Sequence, residues 1–154
     1  EFGMGSYVLA FKEDAGSVKD VEITEVDIDN FVRAKGAIFS GINVMLESLG
    51  FDVSVLEHVY VAGGIGSGIN MKNAISIGML PDIPLEKYEY IGNSSLSGAY
   101  TILLSKEAEE KVHDLGRNMT YMELSTHPGY MDAFVAACFI PHTDASLFPS
   151  LAQR

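Results

Sequence analysis

The sequence predicts an α/β domain, and three observations carry this prediction. Short runs of β-branched and aromatic residues alternate along the chain with longer stretches of helical periodicity, an order typical of sheets covered by helices. Glycine, serine and asparagine lie where these stretches meet, as expected for turns and helix caps. A length of 154 residues with 47% hydrophobic and 20% charged residues fits one globular domain with its own core.

The first elements are predicted to be a hairpin and a long helix. Two short strands at 7–11 and 21–24 flank a charged turn. Thr24, followed three residues later by Asp27, resembles a capping box at a helix start. Apolar residues then recur at three- and four-residue spacing for about six turns. The helix is expected to end at Gly50, because glycine commonly follows the last helical residue.

Two glycines, Gly36 and Gly41, lie inside this predicted long helix. A glycine within a helix costs about 1 kcal/mol relative to alanine. We therefore expect another element to pack closely against the helix at these positions. The single cysteine, Cys138, lies in the apolar run FVAACF and is predicted to be a small core residue.

The remaining elements are predicted to be shorter. Asn70 is expected to cap a helix that Pro81 stops, and Asn93 or Ser94 is expected to cap another. A charged helix is expected to close near Gly116. In chain order, we expect a buried strand at 59–62, a helix at 71–80, a strand at 88–92, helices at 93–105 and 106–118, a strand at 119–124 and a helix at 130–139.

The composition excludes several classes of function. A net charge of −11 offers no basic surface for the phosphates of a nucleic acid. No run of about 18 apolar residues is present, so we expect no membrane span. One cysteine cannot form a disulfide within the chain or hold an iron–sulfur cluster alone, and we expect a cytoplasmic protein. Residues 1–6 are expected to be a remnant of cloning, and 7–154 a piece of a larger protein.

The segment VAGGIGSGIN at 61–70 holds the densest glycines of the chain. It lacks the Gly-Lys-Ser/Thr of a Walker A loop, and the third glycine of a dinucleotide-binding fingerprint would fall on Ile69. Gly63 and Gly64 could let a ligand approach the backbone closely at a helix start. They could equally serve only a tight turn between strand and helix, and the local pattern leaves both interpretations open.

Few other polar residues suggest chemistry. Lys35 could reach a ribose hydroxyl or a phosphate from the long helix, or it could lie on a solvated helix face with Arg33. His127, His142 and Asp144 lack the helical spacing of metal ligands, so no metal site is predicted. No pair of carboxylates resembles an acid/base couple, and no catalytic residue is assigned.

Longer segments resemble a known superfamily. The long helix, HVYVAGGIGSGINMKNAISIGML and IGNSSLSGAYTILLS are similar to the adenosine half of the ATPase superfamily of actin, heat-shock chaperones and sugar kinases. In that superfamily, a strand ending in two glycines meets the nucleoside. Gly63 and Gly64 match this pair, and Gly98 with Ala99 matches a later one. The resemblance covers roughly residues 23–105.

A narrower resemblance covers nearly the whole chain after residue 22. The segments ITEVDIDNFVRAKGAIFSGI, VAGGIGSGINMKNAISIGMLPDIP, IGNSSLSGA and the closing IPHTD and FPS look like the C-terminal region of reductive activators of corrinoid proteins. In that family, an iron–sulfur domain donates an electron to a cobalt(II) corrinoid on a partner methyltransferase system. ATP binding and hydrolysis by an actin-like domain is taken to drive this reduction.

The resemblance implies an RNase-H-like (actin- or sugar-kinase-like) lobe with a mixed central sheet and flanking helices. Gly63, Gly64 and Gly66 would border the adenosine, with Lys35 and Asn70 as further candidates. ATP or ADP with Mg²⁺ would bind the whole protein, and an iron–sulfur cluster would lie in a domain outside this chain. The expected partners are a corrinoid protein or methyltransferase component and the rest of the same polypeptide.

Two departures from a complete family member qualify this expectation. The chain has no cysteine cluster, and it has no Asp-x-Gly-Thr-like strand and turn near its start. We therefore expect the lobe alone to be inactive. Two alternatives stay open: a lobe of a small-molecule kinase of the same superfamily, and a non-catalytic docking module for a corrinoid or methyltransferase partner.

Overall fold

The protein folds as an α/β structure, as predicted. The computed structural model describes residues 5–152, without the side chain of Ile65. The strands are β1 Ser6–Ala10, β2 Val21–Thr24, β3 Val59–Val61 and β4 Tyr88–Tyr90. The helices are α1 Lys12–Ala15, α2 Glu25–Ser48, α3 Met71–Ser76, α4 Ser94–Leu104, α5 Lys106–Asn118 and α6 Tyr130–Ala137.

The long helix α2 begins and ends where its sequence predicts. The amide of Asp27 donates to Thr24 Oγ1 at 3.2 Å, and the amide of Thr24 donates back to Asp27 Oδ2 at 2.9 Å. This reciprocal pair is the predicted capping box. The hydrogen bonds from Thr24 also hold the pKa of Asp27 below its usual value. Gly50 follows the helix with φ +73°, the left-handed conformation expected of a residue that ends a helix.

The expectation of close packing at the helical glycines is confirmed at Gly36 but not at Gly41. α2 packs mainly against α6. A Cβ placed on Gly36 would lie 3.1 Å from Cys138 Sγ and 3.3 Å from the carbonyl oxygen of Ala137. A Cβ on Gly41 would lie 3.5 Å from Leu124 Cδ1, an ordinary contact. Glycine at position 36 therefore lets the two helices approach closely, with half-buried Cys138 at the contact.

The core lies between α2, α3, α6 and the segment that follows α6. Its buried side chains include Phe39 from α2, Ile75 from α3 and Phe148 from the final segment. The rings of Phe39 and Phe148 pack in a tilted arrangement with centroids 5.3 Å apart. Asp144 accepts hydrogen bonds from the amide and hydroxyl of Ser146 and so caps the short 3₁₀ turn Ala145–Leu147, which is followed by the buried Phe148. The final segment is therefore docked on the domain.

The strands form two separate sheets within residues 5–152, which differs from the single mixed central sheet expected. β1 and β2 pair antiparallel, and β3 and β4 pair parallel. β3 was expected to be buried, and this expectation was wrong because Tyr60 is 58% exposed. β3 and β4 pair only with each other among the described residues, whereas parallel sheets normally have both faces covered.

Three local expectations need correction or qualification. α3 ends at Ser76 rather than near Pro81, because Gly78 takes φ +74° and leaves the helical conformation. α5 passes through Gly116 and ends at Asn118. The strand expected at 119–124 is not formed: this stretch is irregular and leads into a short 3₁₀ turn, Leu124–Thr126. Alternating apolar residues make a strand only where a partner strand supplies the hydrogen bonds.

The predicted remnant at residues 1–6 stays a prediction. Residues 1–4 lie outside the described part of the chain, while Ser6 is the first residue of β1.

Candidate functional site

The carboxyl ends of the parallel strands β3 and β4 meet at one edge, and a glycine follows each. Gly63 has φ +91° and Gly92 has φ +72°. The amide of Gly63 donates to the carbonyl of Gly92 at 2.8 Å, and the amide of Ile91 donates to the carbonyl of Val61 at 3.0 Å. These bonds extend the pairing beyond the strands and tie the two glycine turns together. Clefts at such strand ends are the usual binding positions in α/β folds.

Gly66 is held by packing. A Cβ at this buried position would lie 3.0 Å from both Tyr90 Cε2 and Val61 Cγ1. The hydroxyl of the same Tyr90 ring donates to the carbonyl of Gly63 at 3.1 Å. The absence of a side chain at Gly66 therefore allows the glycine segment to pack closely against Tyr90 of β4.

Gly63 and Gly64 face open space. A Cβ on either would meet no described atom within 4 Å. The positive φ of Gly63 explains glycine there without any ligand. Gly64 is different: its φ of −62° and ψ of −37° suit any residue, and space for a side chain is present. Neither its backbone conformation nor the described atoms around its Cα require glycine there.

The side chains of Asn70 and Lys35 both form hydrogen bonds within the protein. Asn70 Oδ1 accepts from the amide of Asn73 at 3.0 Å and caps α3, as predicted. Lys35 is fully buried, and its ammonium donates to the carbonyls of Phe139 and, at 2.7 Å, of Pro141. Burial lowers the pKa of Lys35 against the opposite influence of the Cys138 sulfur. The structure thus places Asn70 at the end of the glycine segment and engages Lys35 with the segment after α6.

His142, which was predicted not to bind metal, has a packing role. His142 Nδ1 accepts from the amide of Asp144 at 2.9 Å, and its ring packs on Phe39 with centroids 5.4 Å apart. Burial lowers the pKa of His142, and the charge of Lys35 lowers it further against the influence of Asp144. Between residues 5 and 152, no group of three or more His, Cys, Asp or Glu side chains could hold a metal ion.

Sequence reasoning missed Tyr90 and Gly92. Both lie at the end of the strand that pairs with β3, in the run YEYIG. The signal was present, because a glycine two positions past the end of each of two short strands marks two adjacent turns if the strands are parallel neighbours. Asn93 caps α4 by accepting from the amide of Leu96 at 3.1 Å, which confirms one of the two predicted caps.

No helix in the described part of the chain is long and apolar enough to cross a membrane.

Comparisons with known proteins point to one family. The family model described as the C-terminal domain of RACo, the ASKHA domain, matches residues 2–152. A corrinoid activation enzyme, RamQ, of Eubacterium limosum is 36% identical over 76% of this chain and 20% of its own length. A [Co(II) methylated amine-specific corrinoid protein] reductase of Methanosarcina barkeri is 28% identical over 65% of this chain and 18% of its own length.

A solved structure supports the same relation. A reductive activator for corrinoid, iron–sulfur protein matches with a TM-score of 0.87 and 50% identity, over 94% of this chain and 23% of that one. The chain thus spans about a fifth of the length of the relatives that it matches. With the family model matching almost the whole sequence, the chain belongs to the family of the C-terminal ASKHA domain of RACo.

Proposed function

We propose that this chain is the nucleotide-binding C-terminal lobe of an ATP-dependent reductive activator. The whole protein would return the corrinoid of a methyltransferase or demethylase system from cobalt(II) to cobalt(I). The observation that carries the proposal is the 50% identity to a reductive activator across 94% of this chain. The two curated relatives, named for corrinoid activation and corrinoid-protein reduction, point the same way.

The glycine segment is the proposed border of the adenosine. Gly63 and Gly64 lie at the edge where β3 and β4 end, with open space beside both Cα atoms. Gly66 supports them through its packing on Tyr90, and Asn70 closes the segment by capping α3. We do not place Lys35 against the nucleotide, because its ammonium donates to two main-chain carbonyls and supports the fold instead.

The remaining chemistry would come from outside this chain. An iron–sulfur cluster elsewhere in the polypeptide would give one electron to cobalt(II), which becomes cobalt(I). ATP with Mg²⁺ would bind between this lobe and a second one and hold them closed. Nucleotide can shift such an equilibrium only by its difference in affinity for the open and closed states. The protein would be cytoplasmic.

The surface of the chain supports the rest of the polypeptide as a partner. The chain exposes 11240 Å², whereas a compact protein of its mass exposes roughly 7,600 Å². No residue of α4 is buried, and even its large apolar side chains Leu103 and Leu104 are 84% and 70% exposed. Leu96 and Tyr100 of the same helix are also exposed, at 67% and 63%, and monomeric proteins rarely expose large apolar patches. We infer that other parts of the same protein cover them.

The test is corrinoid reduction by the intact polypeptide that carries this chain. The cobalt(II) corrinoid protein, an electron donor and the activator are mixed with or without ATP and Mg²⁺, and cobalt(I) is followed by its absorbance. The proposal expects reduction only with ATP. Equal rates without ATP would contradict it. ADP formation stimulated by a sugar or an acid, with no cobalt(I), would instead favour the small-molecule kinase.

A further inference from the structure

Gly63 is held from both sides by the strand β4 and its extension. Its amide donates to the carbonyl of Gly92 at 2.8 Å, and its carbonyl accepts from the Tyr90 hydroxyl at 3.1 Å. Both peptide groups that flank the Cα are therefore fixed in direction. The left-handed φ of +91° would otherwise be one of several conformations open to glycine.

The Tyr90 ring adds a second restraint on the same segment. It lies against Gly66, where an added Cβ would come within 3.0 Å of ring atom Cε2. One side chain thus contacts the glycine segment at two places, three residues apart. No other side chain described in residues 5–152 bonds to Gly63.

We propose that Tyr90 is the positioning residue of the adenosine site, an inference that rests on the function proposed above. Its hydroxyl sets the direction of the Gly63 carbonyl, and its ring seats Gly66, so the open side of Gly63 and Gly64 faces the ligand before binding. A segment fixed in advance loses less conformational freedom on binding. Tyr90 acts through the glycines and does not touch the nucleotide.

Tyr88 provides a matched control on the same strand. Positions 88 and 90 lie on the same face of β4, and both hydroxyls donate to a main-chain carbonyl. The Tyr88 hydroxyl donates to Pro81 at 2.7 Å, in the core rather than in the glycine segment. Tyr88→Phe and Tyr90→Phe therefore remove the same group from two places with different roles.

The experiment titrates ATP and adenosine into the intact protein and into both variants, with melting temperature and amide hydrogen exchange measured without ligand. Tyr90→Phe is expected to weaken ATP and adenosine by the same factor, about threefold to tenfold for one lost hydrogen bond. It is also expected to speed exchange at Gly63 and Gly64 while changing the melting temperature little. Tyr88→Phe is expected to lower the melting temperature and leave both affinities unchanged.

Two results would overturn the inference. The first is unchanged affinity in Tyr90→Phe when the unsubstituted protein binds ATP. The second is a loss for ATP but not for adenosine, which would place the effect at the phosphates. If the unsubstituted protein binds neither ligand, the proposed function itself fails. Exchange at Gly63 then still reports whether Tyr90 orders the segment.

Discussion

Lys35 combines a charge with complete burial, and its surroundings explain how the fold accommodates it. Its ammonium donates to the carbonyls of Phe139 and Pro141, just beyond the C-terminal end of α6. A buried cation needs hydrogen-bond acceptors to offset the loss of water, and these two main-chain carbonyls provide them. The side chain therefore joins the middle of α2 to the segment that docks Phe148 in the core.

Lys35→Met is expected to lower the free energy of unfolding by about 1–3 kcal/mol, because it leaves two buried carbonyls without a donor.

The same variant also tests the lowered pKa of Lys35. Burial lowers the pKa of Lys35 in the folded state from 10.5. The unfolded chain then binds more protons, so stability rises with pH between the folded pKa and 10.5. Urea titrations from pH 7 to 10.5 should show a smaller rise in Lys35→Met. Lys72→Met, at an exposed position, is the control.

Alanine substitutions at Gly78 and Gly50 can distinguish the steric cost of an added side chain from the cost of a left-handed backbone conformation. Both have nearly the same φ, +74° and +73°. A Cβ on Gly78 would lie 2.0 Å from the carbonyl oxygen of Pro141, whereas one on Gly50 meets nothing described within 4 Å. Gly50→Ala should cost only the left-handed conformation, about 1–2 kcal/mol. Gly78→Ala should cost more, because the Pro141 carbonyl that Lys35 binds must move. Equal losses in chemical denaturation would contradict this reading.

At the scale of single elements, α2 offers a comparison inside one helix. Gly41→Ala places its Cβ at an ordinary 3.5 Å contact, while Gly36→Ala places one 3.3 Å from the backbone oxygen of Ala137. Alanine favours a helix over glycine by about 1 kcal/mol. We expect Gly41→Ala to stabilise the protein by roughly that amount and Gly36→Ala to give no gain. Thermal unfolding measures both, and a gain at Gly36 equal to that at Gly41 would show that α6 does not constrain α2.

Elements with local signals were predictable from the sequence. The capping box of Thr24, the helix end at Gly50 and the caps of Asn70 and Asn93 depend on residues only a few positions apart. The failures involve distant partners. The 119–124 stretch has the alternation of a strand, but alternation cannot show whether another strand lies beside it. The direct neighbour relation of β3 and β4, and hence the role of Tyr90, also depends on residues about thirty positions apart.

At the scale of the whole molecule, the large exposed surface is the dominant feature. α2, α3, α6 and the final segment share a core, whereas α4 and α5 contribute no buried residue. The parallel pair β3–β4 leaves Tyr60 exposed on one face. Sequence periodicity identified these helices correctly but could not show that their apolar faces lack cover within residues 5–152. In our proposal, the rest of the polypeptide supplies that cover.

Leu103→Glu tests this cover. Leu103 is 84% exposed in the 154-residue chain. The substitution should therefore change the free energy of unfolding of this chain by less than about 0.5 kcal/mol. In the intact polypeptide, the same substitution should bury a charge and lower the melting temperature clearly. Lys111→Gln, which removes only an exposed ion pair with Glu107 on α5, should be tolerated in both. A Leu103→Glu variant that melts like the unsubstituted intact protein would contradict the proposed cover.

The proposed position of adenosine is tested most directly by the affinity of a Gly64 variant for ATP. The backbone and the described neighbours of Gly64 accept a side chain, so Gly64→Val should fold normally. Gly116→Val, at an open helical position, is the matched control. Calorimetric titration of ATP into the intact protein should show at least about tenfold weaker binding in Gly64→Val, with unchanged affinity in Gly116→Val and unchanged melting in the absence of nucleotide. ATP binding by Gly64→Val equal to that of the unsubstituted protein would contradict the placement of adenosine against this glycine.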